Sequence, residues 1–389
     1  MRITDIRELS VPLQGDIANA LVNFAEHTVS LVAVCTDQVR NGRPVTGLAF
    51  DSIGRFAQGG LLRERFLPRL RTAPPASLID ATGTRFDPDA VLRTLMRNEK
   101  PGGHGDRAAA VGALELAIWD LNAKLAEEPA WRNIARYFGR TTQMQGAAVY
   151  AAGGYYYPSG SSHNLGDELR AYRDQGYTAF KIKIGGATLA QDMRRVETAL
   201  SVADGDGSRV AVDANGRLDL PAALAYARAL TPYRLRWFEE IGDPLDYALN
   251  RQLAEVYDGP IATGENLFSL RDVDNLLRYA GMRPGMDVFQ MDPGLSYGLI
   301  EYARMVRAME GAGYDRRQAY PHGGHLINLH VVTGLGLGGC EAYPGVFQPF
   351  GGYAGSCLLR DGRVAPSDAP GFGLEEKTEL AAPLRQLLS

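Results

Sequence analysis

Six residues, Lys183, Asp213, Glu239, Glu265, Asp292 and His322, each close a short apolar run: TAFKIK, SRVAVD, RLRWFE, GPIATGE, MDVFQMD and RQAYPH. They stand 30, 26, 26, 27 and 30 residues apart, with helical periodicity between them. A polar residue ending a strand, repeated at the spacing of a strand–helix unit, is the pattern of the C-terminal face of a (β/α)8 barrel. A solenoid also repeats at such a period, but these repeats share nothing beyond the terminal acid or base.

From Ala147 the chain reads as eight strands: AAVYAAGG, TAFKIKI, SRVAVDAN, RLRWFEE, PIATGE, MDVFQMD, RRQAYPH and GCEAYP. Seven helical stretches separate them, at 165–175, 189–203, 221–229, 246–257, 270–279, 297–310 and 326–333. Gly176 and Gly311 stop two of these helices, and Pro221 opens a third where its missing N–H costs nothing. Residues 1–140 lack this alternation. ITDIRELSVPL, TVSLVAVCTD and PVTGLAF read as a three-stranded meander, followed by helices at 61–71, 89–99 and 106–126. The expected fold class is α/β: an α+β unit over 1–140 and a (β/α)7β barrel over 141–359. The tail 360–389 is too polar for another barrel helix and is expected to pack back on the first unit.

The 389 residues suit about two domains. A net charge of −4 argues against nucleic acid or an anionic membrane as the main partner. No apolar run approaches the roughly 20 residues of a membrane span, and Met1 leads straight into an alternating segment. Cys35, Cys340 and Cys357 are odd in number and lack CxxC spacing, so free thiols and a cytoplasmic location are expected.

A single strand-end acid is usually a solvated loop residue. Asp213, Glu239 and Glu265 end three consecutive strands, which a barrel brings together, and three carboxylates without a nearby cysteine favour a hard cation such as Mg²⁺. Lys181 and Lys183 form K-x-K, a frequent edge-strand pattern. Facing inward, their mutual repulsion, with Mg²⁺ nearby, would lower one pKa and allow a neutral lysine base, with Lys183 nearer the strand's end. Asp292 and His322 end adjacent strands. A carboxylate on one imidazole nitrogen fixes the tautomer and leaves the other nitrogen to carry a proton. Asp287 and Asp315 begin their strands and would lie at the wrong face. In HGGH, Gly323 and Gly324 argue against a helix that would make His322 and His325 metal ligands. Glu341 ends strand eight and reads equally as a substrate contact or a salt-bridge partner. GLGLGG (334–339) follows a helix and precedes a strand, the reverse of a dinucleotide loop. These groups suit abstraction of a proton next to a carboxylate, with base and acid available for racemisation or elimination.

At KIK (181–183), VDAN (212–215), FEE (238–240), GEN (264–266), QMD (290–292) and PHGGH (321–325), the chain resembles the enolase superfamily, mandelate racemase subgroup. ALELAIWDLNAKLA (113–126) looks like that family's helix leading into the barrel. The strings NEKPGGHG (98–105), YAAGGYYYP (150–158), GDPLDYAL (242–249), ATGENLFS (262–269), LRYAGMRP (277–284), DPGLSYGL (292–299) and the stretch 334–352 are similar to those of the D-tartrate dehydratases. The resemblance implies a modified TIM barrel with an N-terminal capping domain whose loops select substrate. It also implies a Mg²⁺-dependent hydro-lyase acting on a small hydroxy diacid and working as a homo-oligomer. Lys183 would be the base, and His322 with Asp292 the acid. Lys181 would stabilise the developing charge, and Asn19, Arg55, Lys100 and Tyr156 would contact substrate. Arg55 and Lys100 also make sense alone, because a diacid needs a cation for its second carboxylate. Another acid-sugar dehydratase or an epimerase on the same site, and a non-catalytic binding protein, are the alternatives. Two departures stand out: EEIGDP replaces the commoner EEP, and Pro293-Gly294 follows Asp292 where a less rigid pair is expected, a change able to shift the Asp292–His322 geometry.

Overall fold

The computed structural model describes residues 1–144, 146–157 and 163–389. Pro158, which ends the YAAGGYYYP string, lies outside the described residues. Strands β1 (Ile3–Pro12), β2 (Thr28–Arg40) and β3 (Arg43–Phe50) form an antiparallel sheet in sequence order. β2 and β3 are joined at Asn41-Gly42, both with positive φ, the backbone that a tight hairpin needs and that Asn-Gly supplies. The helix Asp106–Leu125 packs on this sheet so closely that a Cβ at Gly47 would fall 2.1 Å from the Ala117 carbonyl oxygen. Its opposite face meets the barrel, where a Cβ at Gly112 would stand 3.1 Å from the carbonyls of Pro293 and Gly294. Covered on both sides, this helix is apolar nearly all round rather than striped.

The barrel strands are β4 (Ala147–Gly153), β5 (Phe180–Lys183), β6 (Val210–Asp213), β7 (Trp237–Glu239), β8 (Ile261–Thr263), β9 (Val288–Phe289) and β10 (Cys340–Ala342). They pair in parallel from β4 to β9, and β10 closes back on β4. Strand seven, read from RRQAYPH, is not a strand. A short 3₁₀ turn, Arg316–Gln318, leads to a single bridge between Phe289 and Ala319. The hydrogen bonds Tyr320 N–H to Phe289 O (2.8 Å) and His322 N–H to Gln290 O (3.2 Å) carry the chain on to the barrel mouth. Seven helices follow the strand positions, from Leu165–Asp174 to Leu326–Leu335. A helix not read from the sequence, Ala130–Tyr137, packs against the last of these at Gly334, where a Cβ would lie 2.7 Å from Trp131 O. Tyr150, Trp237, Tyr320 and small residues fill the barrel's lower end.

The tail divides. The hairpin β11 (Leu358–Arg360) and β12 (Arg363–Ala365) adds to the barrel sheet, with β12 antiparallel to β4. Residues 360–365 therefore sit with the barrel, contrary to the expectation for the tail, because β4 has a free edge at its start that only a chain segment can satisfy. Beyond them the chain crosses to the first domain. Phe372 N–H donates to Asp120 (2.6 Å), Lys124 pairs with Glu375 (2.5 Å), and the helix Ala381–Leu388 meets β1 through an Arg7 bond to Leu387 O (3.2 Å). Among the described residues no helix is long and apolar enough to cross a membrane. The three cysteines are free thiols.

Candidate active site

The strand register builds one side of the site. Lys183 is paired with Asp213, and Asp213 with Glu239, at the C-terminal ends of β5, β6 and β7. Glu265 lies past the end of β8 and reaches back to them. One carboxylate oxygen from each of Asp213, Glu239 and Glu265 lies within 4.8 Å of the others. The donor set is all oxygen, and burial with the charge of its neighbours pushes Glu239 up to about 8. Such crowding of acids is relieved by a hard divalent cation, so the three residues fit one. The Oδ1 of Asn215, buried and without a hydrogen-bond partner among the described residues, lies just past the same strand. The Asn215 N–H holds Asp213 Oδ1 at 2.8 Å.

Both lysines of K-x-K point inward, but not to equal places. Lys181, 1% exposed, is beneath the cluster, 2.5 Å from Glu239, 2.7 Å from Glu341 and 3.6 Å from Asp213. Glu341 spends its second oxygen on the Gly323 N–H (2.9 Å). Neither Lys181 nor Glu341 is on the pocket wall; like Asp213 and Glu239 they lie buried just behind it. The pair forms the charged floor that holds Glu239 and the His322 loop. Lys183 does line the pocket, with its Nζ 2.5 Å from Asp213. Burial, the largest effect, and Lys181 act downward, but Asp213, Glu265 and Glu239 together raise the ammonium above its ordinary value.

The other side is built from loops. His322 Nδ1 lies 3.1 Å from Asp292 Oδ2, and its Nε2 is 3.2 Å from the Tyr343 hydroxyl and 3.9 Å from Glu265. Burial works against the imidazolium, yet Glu265, the Asp292 bond and Glu341 raise its pKa to about 10. The Asp292–His322 contact is intact despite Pro293-Gly294. Gly294 N–H donates to Asp292 Oδ1 (2.8 Å), and a Cβ on Gly294 would strike Ser52 of the capping domain at 2.8 Å. The small residue is there because the cap comes so close. Asn328 donates to His322 O (2.5 Å), Gly323 O (3.1 Å) and Asp292 (3.4 Å). His325, whose Nδ1 receives the Asn328 N–H, meets Ser52 Oγ through Nε2 at 3.1 Å. It is a helix cap and not a metal ligand.

These sides face one pocket of about 310 Å³. Lys183, Glu265 and His322 line it from the barrel, and Asn19, Ile53, Gly54 and Arg55 from the capping domain. Arg55 donates to Asn266 (2.9 Å), and Asn266 to the buried Glu240 (2.7 Å). Among the described residues, Asn266 and Arg55 are shared with a larger, outer cavity of about 960 Å³. Lys100 lines that outer cavity and not the site pocket. Its loop is drawn away by Arg107, which bonds Lys100 O (3.0 Å) and Glu99 (3.1 Å). Tyr156 is also absent from the pocket. Its hydroxyl donates to Asp192 (3.0 Å) and accepts from Gly186 N–H (3.0 Å), while its backbone pairs with Ala18. It latches the Asn19 segment to the barrel. Tyr343, Asn215, Asn266 and Tyr155 were not read from the sequence. Tyr343 follows Glu341 by two, the period that keeps side chains on one face of a strand, whereas Asn215 has a positive φ and departs from that period.

The family model for enolase C-terminal domain-like proteins matches residues 164–380. The L-talarate/galactarate dehydratase of Salmonella typhimurium is 29% identical over 282 residues, 72% of this chain and 66% of that protein. The arabinonate dehydratase of Saccharolobus solfataricus is 28% identical over 237 residues, 60% of each. The chain thus spans less than two thirds of the length of either relative. The crystal structure of L-talarate dehydratase from Polaromonas sp. JS666, complexed with Mg and L-glucarate, superposes with a TM-score of 0.74 at 24% identity, covering 98% of this chain and 96% of that one. A match over more than half of the chain, on the barrel that carries the carboxylate cluster, decides the matter: this chain belongs to the enolase superfamily, in its mandelate racemase and muconate lactonizing subgroup.

Proposed function

We propose that the protein is a Mg²⁺-dependent hydro-lyase that dehydrates an acid sugar by removing the proton α to a carboxylate and expelling the β-hydroxyl. The observation that carries this reading is that Lys183, Glu265 and His322 line one pocket, with Asp213 and Glu239 within 4.8 Å of Glu265 and Asp292 bonded to His322 behind them. The three carboxylates would hold Mg²⁺, which when bound supplies positive charge against the charge that grows on the substrate carboxylate. Lys183 takes the α-proton and must be neutral to do so, a form its contact with Asp213 opposes until that carboxylate is engaged elsewhere. His322 supplies the proton for the departing hydroxyl, and its neighbours keep it charged at neutral pH. Asn19 and Arg55, which line the same pocket, would receive the far end of the substrate, with Arg55 the cation for a second carboxylate.

Two readings of the substrate differ in their support. D-tartrate, giving oxaloacetate, rests on the loop strings at 98–105, 242–249, 262–269 and 292–299. The wider reading, an acid sugar of another length, rests on the relatives named for talarate, galactarate and arabinonate. The test is keto-acid release from a panel of tartrate isomers, six-carbon diacids and five-carbon monoacids, with Mg²⁺ and with chelator. Metal-dependent turnover of D-tartrate alone is the outcome expected of the first reading. Turnover of longer acids without tartrate would keep the reaction and replace the substrate. Exchange of the α-proton with inverted product and no keto acid would make the protein an epimerase. No chemistry with any of them would overturn the proposal.

A further inference from the structure

We propose that Tyr343 is a catalytic residue of the elimination: its hydroxyl accepts the proton of His322 Nε2 and passes its own to the departing β-hydroxyl. This rests on the dehydratase reading above. His322 has one nitrogen committed to Asp292, so only Nε2 can deliver a proton to the pocket. The nearest group to Nε2 is Tyr343 Oη, at 3.2 Å, and Glu265 at 3.9 Å is beyond hydrogen-bond reach. With the imidazole protonated, Nε2–H donates and the phenol oxygen accepts. The phenol's own O–H then has no acceptor among the described residues and is left to point at whatever occupies the pocket, which Tyr343 lines. The ring is held edge-on to Phe347, with centroids 4.8 Å apart, and Phe347 is itself held by Phe24 and Tyr155. The hydroxyl is therefore positioned by packing and does not depend on the substrate. Burial and the Glu341 charge raise the phenol well above its ordinary pKa, so it stays an O–H donor.

The step balances without a further reagent. The β-carbon–oxygen bond breaks and its electron pair leaves on oxygen, which takes the Tyr343 proton and departs as water. Tyr343 Oη takes the proton of Nε2, ending as a phenol again, and His322 ends neutral with Nδ1–H on Asp292. The double bond forms from the electrons left at Cα after Lys183 has removed the α-proton. Two protons therefore move in this step.

The experiment uses the acid sugar that the wild-type protein dehydrates. Single-turnover rates are measured in mixtures of H₂O and D₂O for wild type, Y343F, H322N and the double variant, alongside α-proton exchange in D₂O. Expected are a bowed, two-proton dependence in wild type and a linear one in Y343F. Dehydration by Y343F should be slower by roughly 10²-fold, the low end for a positioned proton donor, with α-proton exchange retained. The double variant should be no slower than H322N, since the two groups act as one unit. A linear dependence in wild type, full dehydration by Y343F, or loss of exchange together with dehydration in a folded Y343F would each overturn the relay. If Y343F does not fold, the wild-type dependence alone decides. Turnover of no acid sugar by wild type would instead fail the underlying reading, and the relay with it.

Discussion

The two sides of the pocket are held by different means. The lysine side rests on three regular strands in register, with the side chains fixed by ion pairs between buried groups: Lys183 with Asp213, and Lys181 with Glu239 and Glu341. The histidine side has almost no sheet beneath it. β9 is two residues long, strand seven is a single bridge, and Asp292 and His322 are placed by backbone N–H groups, Asn328 and the approach of Ser52. Charge holds the side that would hold the metal and take a proton. A single ion pair, Asp292–His322, set in backbone and amide hydrogen bonds and cap packing, holds the side that would give one. Buried ion pairs left half-made are costly, whereas hydrogen-bonded loops tolerate loss of one bond. The lysine side should therefore fail all at once and the histidine side by degrees.

The largest effect is expected at Lys183. K183A should lower both α-proton exchange and dehydration by about 10³-fold or more, measured as keto-acid release and deuterium uptake. Exchange at the wild-type rate would move the base elsewhere and break the division. Next comes the acidic cluster. D213N, or wild type in chelator, should lose turnover, and Mg²⁺ at about 100 times its Kd should raise wild-type stability by about 2.7 kcal/mol in a melting experiment, but not that of D213N. Equal stabilisation of both proteins would mean that the ion binds outside the cluster. H322N should separate the sides, with dehydration reduced roughly 10²-fold or more while α-proton exchange persists. Loss of both would show that the two sides do not act in separate steps.

This division also explains what could be read from the sequence. Lys183, Asp213 and Glu239 end strands whose apolar runs are unbroken, so period and spacing located them and their convergence together. His322 was found by spacing alone, on a strand that did not form, because Arg316 and Arg317 begin a 3₁₀ turn where RRQAYPH had been read as extended. The opposite fates of Lys181 and Lys183 were not legible. Both face inward, and only the positions of Glu239 and Glu341 decide which one is sealed beneath the floor. The displacement of Lys100 and Tyr156 from the pocket depends on partners remote in sequence, Arg107 and Asp192, that no local pattern announces. Tyr343 was within reach of the period-two rule applied one step beyond Glu341.

A smaller effect is expected from Asn328, whose amide spans Asp292, His322 O and Gly323 O. N328A should cost about 1–3 kcal/mol of stability in denaturant unfolding, the range for leaving buried acceptors unpaired. It should slow dehydration more than exchange. A variant that slows both equally would tie the Asn328 network to the lysine side as well.

A pH-dependent effect reaches the histidine side from the capping domain. Glu115, on the helix Asp106–Leu125, accepts the Leu299 N–H (2.7 Å), the Ile300 N–H (3.2 Å) and the Trp119 indole N–H (2.8 Å), so the cap grips the helix that follows the Asp292 loop. Burial raises this carboxyl from 4.5 to about 7, against the pull of those donors. A group raised on folding binds its proton more tightly in the folded state. Its contribution to stability is full below about 4.5 and is lost as pH rises toward about 7. The melting temperature should therefore carry a downward component across that window which E115Q removes, leaving E115Q with the flatter profile. If the two profiles run parallel, Glu115 is ionised throughout, and the cap's hold on the Asp292 loop is as electrostatic as the lysine side it was contrasted with.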